Sequence, residues 1–156
     1  MDLRRSRHIE VPMTPSILLV DDEAAVIVLV QRSLEKAGYT VFVGSDYDTA
    51  MVMFDAHASE IDLLLTDICL PGKTGIDIAR DCLQKKTGLR VLFMSGWVGA
   101  EFLAYVGIPK EDPHFLAKPF RRSTLLERVQ QILASTDQNL WFEAGSDRAN
   151  SEGAGG

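Results

Sequence analysis

Leu63-Leu-Leu-Thr-Asp-Ile-Cys-Leu-Pro-Gly72 is the stretch on which the fold turns. Its apolar run is too short for a helix and stops abruptly at an acid, Asp67, after which Leu70-Pro71-Gly72 has the chemistry of a turn. Consecutive apolar positions mean a strand buried on both faces, the condition found in parallel sheets. Four further runs of the same kind flank it: Ile17 to Val20, Thr40 to Val43, Arg90 to Met94 and Phe115 to Ala117. Helical stretches separate them, so the pattern predicts an α/β fold, a five-stranded parallel doubly wound sheet with right-handed crossover helices on both faces.

The first helix is expected over Glu23 to Ala37, where Val26, Leu29, Val30, Leu34 and Ala37 recur at helical spacing and Gly38 supplies a left-handed terminator. Ser45 with Asp48 three residues on resembles a cap for a second helix ending near His57. A third should cover Gly75 to about Gln84, with Gly88 closing the unit. From Gly96 to Pro113 three glycines and two prolines predict a fourth helix that is short or irregular, over about Gly99 to Val106. A last helix should begin at Ser123, with Leu126, Val129 and Leu133 as its apolar stripe and Leu125 and Ile132 beside it.

With 156 residues, 46% hydrophobic and 24% charged, the chain is expected to form one soluble globular domain at 15–135. An extension at 1–14 precedes it, and a largely disordered tail at 136–156 follows, small and polar from Ser146 onward. The net charge of -6 argues against nucleic-acid binding, which calls for a basic stripe. No apolar run approaches the roughly 20 residues that span a bilayer, and the arginine-bearing start lacks a secretory pattern, so a cytoplasmic location is expected without membrane insertion. Cys69 and Cys82 have no metal-ligand spacing and read as reduced thiols, Cys82 as a small core or surface residue. His8, His57 and His114 read as surface residues.

In a parallel doubly wound sheet, binding sites form beyond the carboxyl ends of the strands. Asp21 and Asp22 follow the first strand, Asp67 the third, Ser95 the fourth and Lys118 the fifth. Three neighbouring carboxylates repel one another unless a cation joins them, and Mg²⁺ suits such a place because it prefers oxygen ligands and pairs carboxylates with phosphate oxygens. Asp67 could then act as a carboxylate nucleophile toward a phosphoryl group, with Ser95 and Lys118 stabilising its oxygens. Taken singly, Asp22 is more readily a helix N-cap, Lys118 a solvated charge and Ser95 a loop residue or cap, and Asp67 could be part of a turn; their convergence at matching strand ends reverses that preference and favours a site.

Four stretches resemble the receiver domains of two-component response regulators: Ile17-Leu-Leu-Val-Asp-Asp-Glu23, Leu63 to Gly72 with Gly75, Phe93-Met-Ser-Gly96, and Phe115-Leu-Ala-Lys-Pro-Phe120. The resemblance spans about residues 14 to 135. It implies the flavodoxin-like strand order 2-1-3-4-5, with Asp67 as phosphoacceptor and Asp21, Asp22, Asp67 and the Cys69 backbone carbonyl at a Mg²⁺ site. Ser95 and Lys118 would contact the phosphoryl group, Ser95 and Phe115 would switch together, and Lys118-Pro119 would be cis. It further implies a histidine kinase or histidine phosphotransfer protein as phosphodonor, a downstream protein target, and no enzymatic turnover beyond self-phosphorylation and autodephosphorylation. Too few residues follow the last helix for an output module, so a single-domain receiver is expected, softly similar to those of hybrid histidine kinases.

Other readings stand beside these. A phosphatase of the haloacid-dehalogenase type uses similar groups, but the second acid it needs two residues after the nucleophile is Cys69 here. A scaffold that keeps the fold without phosphorylation is the other alternative. Phe115 is core filler as readily as a moving switch. Ile27 and Val28, off the first helix's stripe, either form a docking face or pack on the last helix. Trp97 either overhangs the site and slows hydrolysis of a phosphoaspartate or is a loop aromatic. Leu140-Trp141-Phe142 is an apolar cluster outside the resemblance, fit for a docking peptide or a flap.

Overall fold

In a computed structural model of the chain the described residues are 14–96 and 112–135. Five strands, β1 (Ser16–Val20), β2 (Thr40–Gly44), β3 (Ile61–Asp67), β4 (Arg90–Ser95) and β5 (Phe115–Ala117), form one parallel sheet in the order β2-β1-β3-β4-β5. Among the described residues four helices accompany them: α1 (Ala24–Lys36), α2 (Tyr47–His57), α3 (Gly75–Lys85) and α4 (Arg122–Ala134). The short helix expected near Gly99 to Val106 falls outside the described residues, as do Trp97, His8 and Leu140-Trp141-Phe142.

Side chains alternate across each strand, so β1 feeds two cores. Leu18 and Val20 join Phe54, Leu64, Ile78 and Phe93 beneath α2 and α3. Ile17 and Leu19 join Leu34, Leu63, Leu65 and Val129 beneath α1 and α4. Burial on both faces explains why these strands read as unbroken apolar runs. β3 starts two residues earlier than its leucines indicate, where Ile61 pairs with Ser16 of β1; the carboxylate of exposed Asp62 accepts a hydrogen bond from Ser16 N at 2.9 Å.

Helix ends and faces depart from expectation in several places. The cap of α2 is Asp46, not Ser45: its side chain accepts from Thr49 N at 2.8 Å, while Thr49 Oγ1 accepts from Asp46 N. α4 starts at Arg122 after Arg121, with no side-chain cap, so Ser123 lies inside its first turn. Its fully buried residues are Leu125, Val129 and Ile132, whereas Leu126 and Leu133 are only partly covered. On α1 only Val30 and Leu34 are buried; Leu29 is 67% exposed and Ala37 is exposed, while Ile27, expected off the stripe, packs against the core. Tertiary placement rotated both stripes, since a helix against a twisted sheet buries a narrower arc than its apolar residues span. Gly38 does end α1 in the left-handed region at φ 102°. Cys82 lies in the core, and burial pushes its thiol up to about 12. His57 stacks on Phe42, but His114 is not a surface residue: its ring is mostly covered and bonds Asp112 at 2.8 Å.

Candidate functional site

Register decides which residues meet. Val20 lies beside Thr66, Asp67 beside Met94 and Ser95 beside Ala117, so β1, β3, β4 and β5 end at one level of the sheet. The next residues along the chain, or the last of each strand, point polar groups over that edge. Asp21, fully buried, accepts a hydrogen bond from Glu23 N at 2.9 Å through Oδ1. Asp67, 5% exposed, accepts from Cys69 N at 2.8 Å through its own Oδ1. Lys118 Nζ donates to Asp21 Oδ2 and to Asp67 Oδ2, both at 2.6 Å. One ammonium thus joins two acids separated by 46 positions in the chain.

The backbone under Asp67 is held from three sides. Its carbonyl accepts from Thr66 Oγ1 at 2.9 Å, Ile68 N donates to Met94 O at 3.0 Å, and Gly75 N donates to Ile68 O at 2.9 Å. A Cβ on Gly75 would stand 1.9 Å from the Asp67 carbonyl oxygen, so only glycine lets α3 start this close. Lys118 is fixed likewise, its N donating to Ser95 O at 3.0 Å; the Lys118-Pro119 bond is cis, as the resemblance implies.

Ser95 is buried at the end of β4, and its hydroxyl lies 3.9 Å from Cys69 Sγ. Asp22 is exposed and is not the cap of α1; that place falls to Glu23, whose side chain makes no cap bond. Phe115 is 7% exposed and belongs to the core beneath α2 and α3. The Cys69 side chain is exposed. Sequence reasoning missed Glu23: among the described residues, Asp21, Asp22, Glu23 and Asp67 each offer an oxygen within 4.8 Å of the others. The signal was present in the Asp-Asp-Glu run, because a chain turning from a strand end into a helix brings three consecutive side chains around one point.

Burial raises the Asp67 carboxyl above its usual range, and the bonds from Lys118 and Cys69 N only partly offset it. Burial works against the Lys118 ammonium too, but there the bonds to Asp21 and Asp67 prevail and its pKa is raised. Desolvation therefore wins at the acid and pairing wins at the base. Four clustered carboxylates, two of them paired with one ammonium, leave an excess of hard oxygen donors, and that donor set fits a small divalent cation such as Mg²⁺.

A family profile described as "Response regulator receiver domain" matches residues 17–130. The alkaline phosphatase synthesis transcriptional regulatory protein PhoP of Bacillus subtilis (strain 168) is 30% identical over 125 residues, covering 80% of this chain and 51% of that protein. The transcriptional regulatory protein CpxR of Escherichia coli (strain K12) is 34% identical over 134 residues, covering 86% and 54%. The chain thus spans about half the length of the curated relatives it matches. Among solved structures, the receiver domain from the hybrid histidine kinase CckA is 32% identical with a TM-score of 0.62, covering 76% of this chain and 98% of that one.

Proposed function

The chain belongs to the response regulator receiver domain family, and from that premise we propose that Asp67 accepts a phosphoryl group from a phosphohistidine of a histidine kinase or histidine phosphotransfer protein. The observation that carries the reading is the Lys118 ammonium held at 2.6 Å from both Asp21 and Asp67 within a group of four acids. An oxygen of the Asp67 carboxylate attacks phosphorus, the phosphorus–nitrogen bond breaks, and its electron pair leaves with the imidazole, giving an acyl phosphate. Lys118 pairs with the phosphoryl oxygens, and the Ser95 hydroxyl donates a hydrogen bond to one of them. Asp21, Asp22, Asp67 and the Cys69 carbonyl, with Glu23 beside them, would hold Mg²⁺, which when bound supplies positive charge against carboxylate and phosphoryl oxygens alike.

The structural change is local at first. Ser95 must turn toward the phosphoryl group, and Phe115, now in the core, moves with it, biasing a two-state surface that a downstream protein reads. The face beside the site offers Val28 and Leu29, exposed on α1, for docking of the phosphodonor. We take 15–135 as the receiver unit, with 1–14 and 136–156 flanking it, and the cytoplasm as its location. No helix among the described residues is long and apolar enough to cross a membrane. Incubating the protein with Mg²⁺ and acetyl phosphate should give an acid-stable, base-labile adduct of one phosphoryl group by mass spectrometry, absent in Asp67→Asn. No adduct on the wild type would end the reading, and rapid turnover of phosphate esters would replace it with a phosphatase.

A further inference from the structure

Between α1 and α4 runs a groove of about 580 Å³ that begins at Lys118 and Glu23 and is walled by Val26, Leu29 and Val30 on one side and Pro119, Phe120 and Leu125 on the other. We propose that Leu140-Trp141-Phe142 of the same molecule docks in this groove. An apolar recess of this size, edged by a leucine that is 67% exposed, calls for a cover. The chain itself carries one of matching chemistry: in 136–156 the only aromatic residues are Trp141 and Phe142, consecutive with Leu140. Paired aromatics bring the large apolar area and low side-chain entropy that such a recess accepts.

Reach and charge both select this groove. Leu125 sits nine positions before Ala134, about 14 Å back along α4. Trp141 sits seven positions after Ala134, a span of up to about 25 Å when extended. The segment can therefore return along α4 to the groove with slack to spare. Glu143 follows the triplet, while Arg121 and Arg122 stand at the N-terminal end of α4, about 18 Å back along the helix and within reach of Glu143, with Arg122 lining the groove. An acid placed there meets both the guanidinium groups and the positive end of the helix. The docking itself does not depend on phosphorylation; if Asp67 is a phosphoacceptor, the seated segment stands beside the site and competes with an incoming donor.

Trp97 and Trp141 are the only tryptophans, so full-length Trp97→Phe makes Trp141 the sole tryptophan, excited selectively at the red edge beyond tyrosine absorption. Its emission should be several-fold less quenched by acrylamide than that of free tryptophan amide, independently of protein concentration. Adding Leu29→Glu should restore free-like quenching, whereas Val52→Glu, at an exposed site on α2, should not. Free-like quenching without Leu29→Glu, or protection that survives it, would overturn the proposal, and so would protection lost on dilution, which would mean a second copy fills the groove. As an independent measurement in the full chain, Trp141→Ala with Phe142→Ala should shift the backbone amide resonances of Val26, Leu29 and Leu125 and leave that of Val52 in place. Unmoved groove resonances would refute it.

Discussion

Lys118 compensates two carboxylates that folding takes out of water, so its loss leaves both without their ammonium. Removing one partner of a buried pair typically costs about 3–5 kcal/mol. Lys118→Met should lower the urea midpoint by a corresponding amount in chelator, and added Mg²⁺ should recover part of it because a cation can take over the compensating charge. A second residue makes a test in pH. Tyr47 donates to the Asp81 carboxylate, with Lys73 over its ring at 4.1 Å, and the bond to Asp81 pushes the phenol up to about 12 from its ordinary 10. A raised folded pKa means the neutral phenol is favoured in the native state, so its contribution is fully present below pH 10 and is lost as pH climbs toward 12. Wild type should therefore exceed Tyr47→Phe in thermal stability at neutral pH, and the difference should shrink between pH 10 and 12. A constant difference would show that the bond to Asp81 is not its source.

Elements were legible where their signal is local. β5 was read to the residue, and the other strands to within one or two positions at each end, because abrupt changes from apolar to polar mark where a strand leaves the core. Faces of α1 and α4 were less legible, since sequence gives the direction of an apolar stripe but not how far the sheet covers it. Caps fall between these cases. At α3, Thr74 Oγ1 accepts from Asp77 N at 3.3 Å while the Asp77 carboxylate accepts from Thr74 N at 2.9 Å. Thr74→Ala should cost about 1 kcal/mol of stability by chemical denaturation. Gly75→Ala should cost clearly more, because its methyl group meets the Asp67 backbone, which also displaces the candidate site. Equal losses in the two variants would mean that the close approach relaxes without penalty.

Across the whole molecule, two cores on opposite faces hold the ends of four strands level, and the acids meet because that frame is rigid. Folding therefore gathers repelling carboxylates and draws on packing to do it. A cation that binds the gathered acids, and not the dispersed ones of the unfolded chain, stabilises by mass action, by about 2.7 kcal/mol at a hundredfold excess over its dissociation constant. Mg²⁺ should accordingly raise the melting temperature by several degrees relative to chelator. Asp67→Asn should gain less from the ion, and in chelator it should be at least as stable as wild type, because the buried charge that it removes is one that folding disfavours. An identical Mg²⁺ response in both proteins would place the ion elsewhere.

Sequence by itself determined the fold class, the strand order through its family resemblance, and the five polar residues at the strand ends, Asp21, Asp22, Asp67, Ser95 and Lys118. The fold class and the strand-end residues follow from local chemistry: apolar runs of strand length, helical periods, and acids, a serine and a lysine placed at the ends of the runs. What only the tertiary structure decided is which atoms meet. Asp22 and Glu23 joining Asp21 and Asp67, Lys118 spanning Asp21 and Asp67, Phe115 in the core and the groove beside α1 all depend on register and helix rotation. Register and rotation are set by packing between residues distant in the chain, and no local pattern encodes a distance between them.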